Sequence, residues 1–182
     1  LGGIYFSKNN KYMGYSVNSS GSDWREFYIL DLETGKLLND HLKWIKFSGM
    51  SWHGNGFYYT RYPEPKEEDK FSITNENSKV YYHHLGTSQT ADQIVYYNAK
   101  TPRISPSVSS TNDERFLFLY QYNGTYGVSL SFRDTWKSSV GWNPIVEDYK
   151  SDIYILDYVN GYFIAETDRN SPFKRIIKID GK

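Results

Sequence analysis

Four histidines, His41, His53, His83 and His84, are the side chains best suited to proton transfer or metal binding. A working site needs a second group beside the imidazole. His83 and His84 are adjacent in a stretch predicted as strand, where consecutive side chains leave opposite faces, so they do not chelate one ion. They read as ordinary strand histidines. The carboxylate pair Glu67–Glu68 lies in a charged, proline-interrupted stretch, Pro63–Lys70, and reads as a solvated surface loop rather than an acid–base pair. Gly54-Asn55-Gly56 begins a phosphate-binding glycine pattern, but Tyr59 stands where the third glycine belongs and no helix follows. It reads as a hairpin turn. The sequence holds no Gly-x-Ser-x-Gly elbow, no P-loop and no HExxH. Zero cysteines exclude a thiolate nucleophile, a disulfide framework, Cys-bound zinc and iron–sulfur chemistry. Asn18-Ser19-Ser20 and Asn123-Gly124-Thr125 match the glycosylation acceptor triplet, which matters only in a secreted eukaryotic protein. No catalytic residue, metal site or cofactor is expected.

The elements around these residues are strands. No stretch carries apolar residues at i, i+3, i+4 and i+7 over three turns. Short runs of Tyr, Phe, Ile and Val alternate instead with Gly, Asn, Asp and Ser clusters, and 18% of the 182 residues are aromatic. Each single aromatic reads first as packing, although exposed Trp and Tyr also stack on sugar rings. A turn followed by an aromatic strand recurs four times, with Tyr12, Phe57, Phe116 and Tyr162 spaced 45, 59 and 46 residues apart. A strand is predicted before each turn, at Gly3–Ser7, Gly49–His53, Ser105–Ser109 and Ile153–Tyr158. Another follows, at Glu26–Leu30, Lys79–Leu85, Val128–Phe132 and Arg175–Ile179. The first three units have room for a fourth, around Lys36–Leu38, Gln93–Tyr97 and Asn143–Glu147. Four antiparallel strands in about 45–60 residues is the period of a β-propeller blade. The fold class is therefore all-β: about four blades, with units at approximately 1–43, 44–98, 99–148 and 149–182. The fourth unit stops after three strands, and the chain opens Leu1-Gly2-Gly3 without Met, so it reads as part of a longer polypeptide.

Charge narrows the partners. Lys and Arg number 21 against 21 Asp and Glu, which argues against a nucleic-acid binder relying on a basic surface. No apolar run approaches the length of a membrane span, so no membrane partner is expected. The lack of cysteine fits cytoplasm and periplasm alike.

Several stretches resemble the prolyl oligopeptidase (prolyl endopeptidase) family, in its propeller domain. They are Ser20-Gly21-Ser22-Asp23-Trp24, then Leu42-Lys43-Trp44-Ile45-Lys46-Phe47-Ser48-Gly49-Met50-Ser51-Trp52, continuing through Tyr58-Tyr59-Thr60-Arg61-Tyr62-Pro63. The most specific is Lys79-Val80-Tyr81-Tyr82-His83-His84-Leu85-Gly86-Thr87-Ser88-Gln89-Thr90-Ala91-Asp92, and a weaker one is Thr167–Arg175. The resemblance covers nearly the whole chain, in family order. It implies a seven-bladed propeller capping an α/β-hydrolase domain that carries a Ser-Asp-His triad and lies outside these residues. It also implies a serine peptidase of family S9 that cleaves short peptides after proline. The propeller would gate access, inert alone, with that hydrolase domain and short proline-containing peptides as its partners. Phe47 matches a cavity-lining position of the family; Ser105 and Thr125 fall near two others, though neither is the apolar or sulfur-bearing type often seen there. The rival reading is a non-catalytic propeller that binds proteins, peptides or glycans. Against it, the chain has no Trp-Asp blade ending, no paired-Gly kelch signature and no sialidase Asp-box.

Overall fold

Alternation along the strands decides which faces are buried. The strand β2 (Tyr12–Asn18) turns Gly14 and Ser16 inward, and β3 (Arg25–Asp31) turns Phe27 and Ile29 inward, the two-residue period of a half-buried strand. The runs Gly56–Arg61 and Phe116–Tyr122 bury almost every residue, because both of their faces are covered. In this computed structural model, residues 1–18, 22–65, 74–138 and 141–181 are described. Glu67–Glu68, most of the predicted surface loop, and Ser19–Gly21 lie outside the described residues.

Among the described residues fifteen strands form four sheets. The first joins β1 (Ile4–Phe6), β2, β3 and β4 (Leu37–Ile45); the second joins β5 (Ser51–His53), β6 (Gly56–Arg61), β7 (Lys79–His84) and β8 (Gln93–Tyr96). The third joins β9 (Ser105–Ser110), β10 (Phe116–Tyr122), β11 (Val128–Asp134) and β12 (Asn143–Val146); the fourth joins β13 (Ile153–Val159), β14 (Tyr162–Thr167) and β15 (Arg175–Asp180). Within each sheet every strand pairs with its neighbour in sequence, antiparallel in β1–β2, β2–β3, β6–β7, β10–β11 and β13–β14 among others. Among the described residues a single 3-10 turn, Gln89–Ala91, interrupts the strands. The predicted fourth strand Lys36–Leu38 proves to be only the start of β4. That strand runs nine residues to Ile45, two past the unit end expected at 43.

Two compact units divide the chain, Leu1–Val108 and Ser109–Lys182, with β9 crossing the division. In the first, Phe27 of sheet one meets Phe57 and Tyr59 of sheet two at ring-centroid distances of 6.5 and 6.2 Å. Ile29, Leu42 and Ile45 fill the space around them. In the second, Phe163 of β14 meets Phe116 and Phe118 at 4.9 Å each, edge to face. Each such buried ring contributes about 1.5–3 kcal/mol. Nine aromatic rings among the described residues are buried in these two cores.

Candidate functional site

Phe47 sits in the five residues between β4 and β5, where burial alternates sharply. Lys46 is buried, with its Nζ 4.2 Å from the Trp24 ring centroid and 3.2 Å from Asn75 Oδ1. Ser48 is buried too: its Oγ accepts from the Thr60 N–H at 2.8 Å and donates to the Gly49 carbonyl at 2.9 Å. Because β5 is only three residues long, Thr60 lies past the end of the β5–β6 ladder, and the serine hydroxyl takes the place of a strand partner. Between these anchors Phe47 adopts a left-handed φ of 53° and leaves 65% of its surface exposed. A non-glycine residue holds such backbone only when its surroundings impose it. The ring is displayed, not packed.

Gly49 looks, from sequence, as if its small size leaves room for that ring. Its actual neighbour is Tyr5, whose ring would lie 2.8 Å from a Cβ built at residue 49. The glycine serves the packing of β1 instead. Ser105 opens β9 and is half-buried, while Thr125 is exposed in the turn joining β10 to β11. Among the described residues no hydrogen bond joins Phe47 to Ser105, and Thr125 belongs to the other compact unit.

The histidines behave unequally. His41 stacks on Tyr28 at 4.6 Å and bonds Glu26 Oε2 at 2.6 Å on the surface. His53 lies against Tyr58, and His84 is exposed, 3.5 Å from Asn55 Nδ2. His83, on the opposite face of β7 from His84, is completely buried. Its Nε2 lies 2.9 Å from Asp40 Oδ1 on β4, and its Nδ1 lies 2.7 Å from Asp92 Oδ1 before β8. Asp40 Oδ1 also accepts from the Gly86 N–H at 2.7 Å, and Asp92 Oδ2 accepts from the Tyr59 hydroxyl at 2.6 Å. Gln89 continues the network, donating to Tyr59 Oη at 3.1 Å and pairing with both backbone groups of Lys43.

Burial alone would drive this imidazole toward neutrality. The bonds and charges of Asp40 and Asp92 outweigh it and push the His83 pKa up to about 9. Burial likewise opposes the Asp40 charge, but His83 and Gly86 hold its pKa below the usual value. Tyr59 is raised, first by burial and then by its bond to Asp92. An imidazole with both nitrogens on carboxylates and no exposure has no free nitrogen for a substrate proton. Sequence reasoning missed this cluster, since it sees His83 as one strand residue among many. The available signal was the stretch Tyr82–Asp92: His83, Gly86, Gln89 and Asp92 are its networked members.

Four antiparallel meanders in chain order, filled by aromatics within each unit, are part of a β-propeller domain. The model of the prolyl oligopeptidase N-terminal β-propeller domain matches residues 1–182, and the chain belongs to that family. It is 36% identical over 179 residues to the prolyl endopeptidase of Elizabethkingia meningoseptica, covering 98% of this chain and 25% of that protein. With prolyl oligopeptidase A of Galerina marginata the identity is 27% over 203 residues. Among solved structures, prolyl oligopeptidase B from Galerina marginata bound to a 35mer hydrolysis and macrocyclization substrate superimposes with a TM-score of 0.85 at 27% identity. That match covers 98% of this chain and 27% of the other. The chain therefore spans about a quarter of the length of these relatives.

Proposed function

We propose that this chain is the substrate-gating propeller part of a serine endopeptidase that cleaves short peptides after proline, and that Phe47 contacts the peptide. The observation that carries the reading is the displayed Phe47 ring, fixed by Lys46 and Ser48, in the stretch that resembles a cavity-lining segment of the family. An α/β-hydrolase domain of the same protein supplies the chemistry. Its serine attacks the proline carbonyl carbon, a histidine takes the serine proton and gives it to the departing amine of the next residue, and oxyanion donors hold the developing charge. The propeller's share is positioning and exclusion: an aromatic wall orients the proline-bearing segment, and a covered cavity admits short chains only. Ser105 and Thr125 join Phe47 in this reading as further cavity positions.

The test is an assay of the whole protein on a short peptide with an internal proline, and on a long polypeptide containing the same segment. Cleavage after proline in the short peptide, with the long one cut far more slowly, is the expected result. Binding without cleavage of either would favour the non-catalytic propeller instead.

A further inference from the structure

The hydrogen-bond pattern around His83 contains a proton count. Asp40 Oδ1 faces both a histidine nitrogen and the Gly86 N–H, and Asp92 faces the other histidine nitrogen and the Tyr59 hydroxyl. Ionised carboxylates only accept. Two carboxylates opposite two ring nitrogens require two N–H donors, and neutral imidazole has one. The arrangement is complete only as imidazolium between two carboxylates. It is sealed: the side chains of His83, Asp40 and Asp92 are all but inaccessible. It also joins two sheets, with Asp40 in β4 and His83 in β7.

We propose that Asp40, His83 and Asp92 form a proton-dependent staple between the first two sheets, which releases the β4–β7 seam when the solution turns alkaline. Deprotonating His83 aims a nitrogen lone pair at a carboxylate oxygen across 2.7–2.9 Å, between side chains that are shut off from solvent. The titratable groups facing the ring are Asp40 from β4, Asp92 before β8 and, through Asp92, Tyr59 from β6; the ring of Phe57 covers it at 5.3 Å. The folded pKa near 9 stands above the ordinary 6.5. The staple's stabilisation is therefore whole below about 6.5 and is lost as pH rises through about 9. This inference is independent of the peptidase reading.

Hydrogen exchange by mass spectrometry on the whole protein tests it, at pH 6.5 and pH 10, after correction for intrinsic exchange rates. Peptides from β4 and β7 are compared with peptides from β10 and β11 as an internal control. The opening of β4 and β7 is expected to rise about a hundredfold relative to the control. Parallel behaviour of the two sets overturns the proposal. Asp92→Asn provides a second arm: the Asn amide donates to His83 Nδ1 of neutral imidazole while its oxygen keeps the Tyr59 hydroxyl, so the seam needs no extra proton. In that variant the pH dependence should largely vanish. If it persists at wild-type size, the staple is not its source; if the variant does not fold, the wild-type comparison decides alone.

Discussion

Phe47 and Ser48 are neighbours with opposite duties, and the difference is measurable. Phe47 keeps most of its surface in solvent, so removing its ring deletes little folded-state packing. In the whole protein, Phe47→Ala should leave the melting temperature nearly unchanged while raising KM by roughly tenfold more than it lowers kcat, as for a contact made equally to substrate and transition state. Ser48→Ala removes the acceptor of a buried Thr60 N–H and should lower stability by about 1–3 kcal/mol. A thermal melt separates the two. A sharply lowered melting temperature with normal KM in Phe47→Ala would show the ring to be structural.

Turns between strands are where the backbone tolerates least. Gly127, just before β11, has a φ of 91°, and a Cβ there would stand 2.1 Å from the Tyr149 carbonyl oxygen. Gly127→Ala should cost several kcal/mol, read as a fall in the urea midpoint, because neither backbone can yield cheaply. The strands themselves were largely legible: Tyr12, Phe116 and Tyr162 each open the second strand of a sheet, and Phe57 is the second residue of β6. The strand that resisted was β4, which reads Leu-Leu-Asn-Asp-His-Leu-Lys-Trp-Ile. Asp and Asn are depleted in strands, and the carboxylate at position 40 looks like a turn signal. It is buried in a strand because a partner 43 residues away donates a hydrogen bond to it, and no local pattern carries that information. The displayed ring of Phe47 was visible only as family likeness. Its left-handed backbone depends on the anchors of Lys46 and Ser48, and those are tertiary contacts.

At the scale of the whole chain, nothing among the described residues assembles a nucleophile, base and oxyanion donors. The isolated 182-residue chain should show a β-dominated circular dichroism spectrum and no cleavage of proline peptides. The outer side of β15 and exposed Ile176 offer a template for pairing, so it should also sediment as oligomers. A homogeneous, cooperatively folding monomer at high concentration would contradict the last point. The staple has a further consequence, in time. During synthesis Asp40 leaves the ribosome 43 residues ahead of His83, an interval of roughly two to nine seconds at ordinary elongation rates. Once Ile45 has emerged all four strands of the first sheet exist, but the carboxylate of Asp40 still lacks its histidine partner and stays hydrated. The first sheet cannot settle until β7 emerges, so slow translation between residues 46 and 83 lengthens the window in which a nascent chain can pair wrongly.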